Sequence, residues 1–378
     1  MRILHVITSL YDGGAEGVLF RLCCYDKKNK HIIVSLRDEG KYGKELSKKG
    51  IKIYSLNMRP GRFSFVNLFK LIKIIKIEKI EIVQTWLYHS DFFGGIAAKL
   101  AGVKNIVWNV RHSNLSADDT NISLKILVKI LAKLSYFLPN KIIFCSKRAI
   151  QIHRNIGYDD RKIIHIANGF DLKKYRPNSI ERLNFRKKFN LKKNLPVLGN
   201  VSRYHPQKDH KNLLKALNFL KKDQISFKCI LVGYEITKRN ITLNKMVKKF
   251  KLSNDIIFLG QQKNINQIMN GIDIHILSSK YGEAFPNVVA ESMASGTPCV
   301  VTDVGDSALI VDKTGWVVKP NNPKKLATSI KLALDCLSTN KWDYVCCNAR
   351  KRINNQFSIK IMIENYTNIW KEIYSKKN

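Results

Sequence analysis

Short β-rich runs alternate with helical apolar periodicity twice along this chain, and few folds absorb such a pattern. The first series reads as strands over 3–7, 31–36, 51–56, 81–85 and 105–110, separated by helical stretches over 17–25, 66–79 and 94–101. A second series has strands over 197–202, 228–232, 256–259, 272–277 and 298–302, with helices over 212–220, 243–250 and 286–295. The pattern lapses around Arg176-Pro177-Asn178-Ser179. Strands alternating with helices predict parallel, doubly wound sheets. The expected architecture is therefore α/β, with two Rossmann-like domains over 1–175 and 176–355. The tail carries Ile359, Met362, Tyr366, Ile369, Trp370 and Ile373 at helical spacing, which predicts a terminal helix within 356–378.

The chain holds 66 Lys and Arg against 29 Asp and Glu, a formal charge of +37 spread over both halves. With 45% hydrophobic residues it has the apolar surface for folded cores, so the charge is not that of a disordered tail. Such a balance points to polyanions: nucleic acid, an anionic membrane, or phosphorylated small molecules. The eight cysteines lack C-x-x-C or Cys/His ligand spacing and read as reduced thiols of a cytosolic protein. The strand after Arg2 is not the pattern of a signal peptide. Lysine interrupts every apolar run that approaches membrane-span length. Lys70, Lys73, Lys76 and Lys79, and likewise Lys125, Lys129 and Lys133, recur within apolar helical stretches. Both stretches read either as basic amphipathic helices suited to a membrane face or as helices packed on a sheet with their lysines in water.

The segment Ser278 to Pro298 carries the densest chemical signal. Glu283 lies in a loop, Pro286 stands where a helix begins, and Glu291 falls inside that helix. Amides at a helix start form an anion site, here near Phe285, Pro286, Asn287 and Val288, while a carboxylate beside them accepts bonds from sugar hydroxyls. By spacing alone the same residues also fit an acidic helix start followed by a solvated glutamate.

The run E-A-F-P-N-V-V-A-E-S-M-A-S-G-T-P resembles the Glu-x7-Glu signature of the GT4-type retaining glycosyltransferases, the glycogen-synthase-like group with the GT-B fold. Glu283 and Glu291 fall on its acidic positions. Gly199 to Lys208 is similar to the family's donor-diphosphate stretch, with Arg203 and Lys208 on its cations and Ser202 where many members have Gly. Ala167-Asn168-Gly169-Phe170-Asp171 resembles the run before the interdomain linker. Gly13-Gly14 resembles the first Gly-rich loop, and His112 the active-site histidine. Thr302-Asp303-Val304-Gly305-Asp306 is similar to the turn that follows the motif. The resemblance implies two domains facing a central cleft, with the terminal helix crossing back to the first.

It also implies site roles. Arg203, Lys208 and the amides near Phe285 to Val288 would hold the diphosphate, Glu291 the ribose and Glu283 the sugar. Gly14 would approach the donor phosphates, and Gly13, Gly14, His89, Arg111 and His112 would meet the acceptor. The implied reaction moves a hexosyl or N-acetylhexosaminyl group from a nucleotide sugar, UDP-linked by expectation, to a lipid-linked or polysaccharide acceptor in bacterial cell-surface glycan synthesis. His112, Glu283, Arg203 and Lys208 would serve the chemistry, with no cofactor and no metal, at the inner membrane face. The alternatives are a non-hydrolysing sugar-nucleotide epimerase and a basic nucleic-acid-binding protein, the latter disfavoured by the even spread of charge.

Overall fold

The computed structural model describes residues 1–11, 13–59, 64–113 and 122–375. It divides into two units, Met1–Gly169 with Ile359–Asn378, and Phe170–Ser358.

The first unit runs β1 (Arg2–Ile7), α1 (Gly14–Tyr25), β2 (Lys30–Ser35), α2 (Gly40–Ser47), β3 (Lys52–Ser55), α3 (Phe65–Ile77), β4 (Ile82–Trp86), α4 (Tyr88–Leu100), β5 (Asn105–Val110), α5 (Ile122–Leu134), β6 (Lys141–Phe144), α6 (Lys147–Ile156) and β7 (Ile163–His165). The second runs α7 (Ser179–Lys188), β8 (Val197–Val201), α8 (His210–Lys222), β9 (Lys228–Val232), α9 (Ile241–Lys249), β10 (Ile256–Gly260), α10 (Ile265–Gly271), β11 (Ile274–Leu277), α11 (Asn287–Ala294), β12 (Cys299–Thr302), α12 (Ser307–Val311), β13 (Trp316–Val318), α13 (Pro323–Leu337) and α14 (Trp342–Phe357). The last helix, α15 (Ile359–Ser375), belongs to the first unit.

Both sheets are parallel, in the orders β3-β2-β1-β4-β5-β6-β7 and β10-β9-β8-β11-β12-β13. Strands covered by helices on both faces must be apolar on both, which is why β1 reads as a continuous run with Ile3, Leu4, Val6 and Ile7 fully buried. The order reverses between β1 and β4 and between β8 and β11. Ligands bind doubly wound sheets at the carboxyl edge of such reversals.

The unit boundaries fall at 169/170 and 358/359, not at 175/176 and 355/356. Phe170 bridges to Ser358 and donates its N–H to the Phe357 carbonyl at 2.9 Å, and Arg350 donates to the Tyr175 carbonyl at 2.8 Å. These bonds tie 170–175 to α14. The terminal helix is held to the first sheet by Trp370, whose indole N–H donates to Gln84 Oε1 at 2.7 Å, and by Tyr366, which accepts from Asn109 at 2.7 Å.

Candidate active site

In the second unit, the loops after β8 and β11 meet. A single 3₁₀ turn, Pro206–Lys208, follows β8 and ends at Asp209, whose left-handed backbone (φ 45°) lets its carboxylate cap α8 at the Asn212 amide, 3.1 Å away. Ser278 donates to the Lys208 carbonyl at 2.8 Å, and the Lys280 amide to that of Gln207 at 2.9 Å. This fixes Lys208, whose Nζ lies 2.5 Å from Glu283 Oε1. The Ser279 hydroxyl donates to the same oxygen at 2.7 Å. Glu283 is 7% exposed, so its charge is compensated inside the protein.

Two glycines make the close approaches. Gly305 has φ +63°, and a Cβ there would stand 2.3 Å from the Glu283 carbonyl oxygen; the next amide, Asp306, donates to the Ala284 carbonyl at 2.9 Å. Gly233, after β9, would place a Cβ 2.1 Å from the Ser202 carbonyl oxygen. Beneath the pair the polar groups are neutral. Burial, then the Lys208 charge, push His210 down to about 4 and His275 to about 3. Ser202 donates to Asn200 at 2.8 Å and accepts from His210 Nε2 at 3.2 Å.

Arg203 is exposed at the end of β8 and makes no hydrogen bond or ion pair with another described residue. Pro286 stands just before α11 instead of in its first turn, and no side chain caps that helix start, near which Asn287 and Val288 lie half-buried. Phe285 is buried, stacked on Phe170 at 6.1 Å and edge-on to Phe357 at 5.5 Å, so its ring serves the core. Glu291 is half-buried within α11. Sequence reasoning gave Ser279, Thr302 and Gly233 no role. Thr302, whose hydroxyl donates to the Ser279 carbonyl at 2.6 Å, stood in a quoted motif; Gly233 was signalled only as a glycine directly after a strand.

In the first unit the carboxyl edge gathers Gly13, Gly14, His89, Arg111 and His112. Gly13 precedes α1 with extended backbone (φ −149°), and Gly14 is exposed at its first position. His112 is exposed after β5 and stacks on Tyr88 with ring centroids 5.9 Å apart. The buried Tyr88 hydroxyl donates to His153 Nε2 at 2.8 Å, because His153 Nδ1 donates to the Ala149 carbonyl at 2.7 Å. His89 opens α4, and desolvation followed by the Arg37 charge lowers its pKa. Arg111 is committed locally: one amino group donates to Tyr366 at 2.7 Å, the other to Asn168, and the guanidinium lies 4.7 Å over the Trp86 ring. The structure thus gives Arg111 a role in seating α15.

Among the described residues, His5, Cys23 and His31 bring metal-ligand atom types within 4.8 Å of one another. Their hydrogen bonds argue against a metal. Trp86 donates to His5 Nδ1 at 3.1 Å, which leaves the proton on Nε2 to donate to His31 Nδ1 at 2.9 Å, and His31 then donates to Asp26 at 3.1 Å. An ion on His5 Nε2 would force the proton onto the nitrogen that already faces the Trp86 N–H. The cluster is a hydrogen-bonded strut of the core.

Two parallel-sheet units with these edge loops define a GT-B-type glycosyltransferase architecture. Comparison with known proteins agrees: residues 12–174 match the Glycosyltransferase Family 4 model and residues 181–352 the Glycosyl transferases group 1 model. The chain belongs to the GT4-type glycosyltransferases. It is 26% identical to a putative glycosyltransferase, EpsF, of Bacillus subtilis, over 80% of this chain and 79% of the relative. It is 25% identical to the UDP-Gal:alpha-D-GlcNAc-diphosphoundecaprenol alpha-1,3-galactosyltransferase of Escherichia coli, over 83% of this chain and 80% of the relative. Among solved structures it resembles Anabaena HepE in complex with UDP (TM-score 0.87, 21% identity, covering 98% and 100% of the two chains). It also resembles a glycosyltransferase from Rickettsia africae (TM-score 0.84, 24% identity, 98% of each chain). Neither the epimerase nor the nucleic-acid reading gains support from these relatives.

Proposed function

We propose that the protein transfers a hexosyl or N-acetylhexosaminyl group from a UDP-sugar to a lipid-linked or polysaccharide acceptor in bacterial cell-surface glycan synthesis, with retention at the anomeric carbon. The observation that carries this reading is the Lys208–Glu283–Ser279 cluster at the β8/β11 reversal, beside Arg203 and the uncapped start of α11. UDP in the Anabaena neighbour and the diphosphoundecaprenol substrate in the name of the Escherichia coli relative support the donor and acceptor classes. An enzyme with such an acceptor works at the inner face of the cell membrane.

In this reading Arg203, Lys208 and the α11 amides bind the diphosphate and take up its charge as the glycosyl bond breaks. These groups supply the neutralisation without a metal ion. Glu283 receives sugar hydroxyls, Glu291 the ribose, and the leaving phosphate oxygen takes the acceptor's proton on the same side. His112, with its ring seated on Tyr88, and Gly13, Gly14 and His89 face the acceptor, while Arg111 holds the local framework. The test assays Glu283→Ala, Lys208→Ala and His112→Ala, each verified as folded, for sugar transfer from UDP-sugars to membrane extract, with and without EDTA. Transfer should vanish in all three, and EDTA should leave the parent enzyme unaffected. Full activity in the three variants overturns the assignment.

A further inference from the structure

Helices α3, α4 and α5 lie side by side on one face of the first unit's sheet, over a shared core that includes Leu71, Phe93 and Leu131. The outer surface of such a layer is ordinarily polar. Here it is not. Phe65 and Phe69 of α3 are 70% and 67% exposed. On α5, Ile122, Ile126 and Ile130 recur every fourth residue and are exposed, Ile122 at 74%, and Phe137 just beyond is 77% exposed. Between them on α4, Phe92 and Ile96 are half-buried against the core at the same spacing, and Leu100 at its end is exposed. In the second unit the large exposed apolar residues are spread over separate helices and loops. The two stretches that the sequence offered as separate amphipathic helices are parts of one face.

The charge on that face has one sign. Lys70, Lys73 and Lys76 line α3, Lys99 ends α4, and Lys129 and Lys133 stand exposed on α5. The acidic residues of these helices and their caps are withdrawn: Asp91 is fully buried, and Glu78 is bonded to Lys52 and Tyr54 at 2.5 Å. A second copy of the chain would set lysine against lysine, and nucleic acid has no use for exposed isoleucine stripes. No helix of the described residues is long and apolar enough to cross a membrane.

We propose that the α3–α4–α5 face is a docking surface for an anionic lipid bilayer, its aliphatic and aromatic side chains entering the acyl boundary while the lysines meet headgroup phosphates. This rests on the surface alone and not on the donor-site reading.

The full chain is sedimented with phosphatidylcholine vesicles with and without phosphatidylglycerol, at low and high salt. It should bind the phosphatidylglycerol vesicles preferentially. Lys125→Gln/Lys129→Gln/Lys133→Gln should weaken partition by about a hundredfold, from the attraction of each lysine to an anionic surface. Ile126→Ser/Ile130→Ser/Phe137→Ser should abolish binding even at low salt. The melting temperature and circular-dichroism spectrum of each variant, compared with the parent, confirm folding without any ligand. If the isoleucine variant is unstable, Phe65→Ser/Phe69→Ser replaces it. Equal binding to both vesicle types, unchanged binding by the variants, or a dimer in solution that these substitutions dissolve would each overturn the proposal.

Discussion

Glu283→Gln offers a prediction that runs against ordinary expectation: it should tighten UDP binding while removing transfer. Lys208 Nζ is bonded to Glu283 Oε1 at 2.5 Å, and the same oxygen takes the Ser279 hydroxyl at 2.7 Å. A diphosphate must therefore compete with Glu283 for the ammonium. Hydrogen bonds to charged groups contribute about 1.5–3 kcal/mol net and neutral ones about 0.5–1.5, so the glutamine would release roughly 1 kcal/mol of attraction for an incoming phosphate. At 1.4 kcal/mol per decade, that is about a fivefold gain in affinity. Glutamine keeps the shape and an acceptor for Ser279, so the loop stays formed. Calorimetric titration of UDP into parent, Glu283→Gln, Lys208→Met and the double variant tests the argument. Lys208→Met should weaken UDP, by less than Arg203→Ala does. In its background the Glu283→Gln gain should disappear. Weaker binding by Glu283→Gln, or a gain that survives without Lys208, refutes the competition.

Three further substitutions probe the framework. Gly305→Ala places a Cβ 2.3 Å from the Glu283 carbonyl oxygen at φ +63°; a loss of at least ~2 kcal/mol is expected, with UDP no longer raising Tm, and a parent-like Tm would contradict it. Burial raises the Asp91 carboxyl from 3.8 to about 7 against the opposing bonds of Thr85 and Asn109. Because the folded state holds this proton more tightly, stability is full below the unfolded value and falls as pH rises toward 7. Melting curves should show Asp91→Asn losing this slope between pH ~4 and ~7, and parallel profiles would refute it. At Asp26 burial is outweighed by bonds from His31, Asn29 and the Lys28 amide, which lower its carboxyl to about 2. That stability is present above the unfolded value and lost as pH falls toward 2. Asp26→Asn should cost about 2 kcal/mol in urea unfolding at neutral pH and little near pH 2.

The strands were legible because burial on both faces writes them as uninterrupted apolar runs, as in β1 and β8. Short elements were not, and β6 went unread although Ile142, Ile143 and Phe144 are buried. The seven-residue α10 fell in a stretch without a periodic signature, and β7 has three residues, all half-buried. The unit boundary escaped because it is set by Phe170 pairing with Ser358, and no local pattern announces a partner so distant in sequence. Arg111 shows the same limit. Read locally it is a cation at a ligand-binding edge, yet its guanidinium is taken up by Tyr366, 255 residues away.

For the site, sequence nominated the charges but not their pairing, and the pairing changes the electrostatics. Lys208 and Glu283 are 75 residues apart and meet because β8 and β11 are neighbours in the sheet though not in the chain. Counted separately, they assign one charge to the diphosphate and the other to the sugar. Bonded, they are nearly neutral to an approaching ligand, over histidines that burial also keeps neutral. Arg203, at the same edge, is exposed and has no hydrogen-bond or ion-pair partner among the described residues. Arg203 should therefore dominate the capture of UDP, and Lys208 should matter more once charge grows on the leaving phosphate. Arg203→Ala should raise the KM for the donor more than it lowers kcat, and Lys208→Ala the reverse. Steady-state kinetics on the two variants decides it, and the opposite assignment of effects would mean that the ion pair opens before the donor arrives.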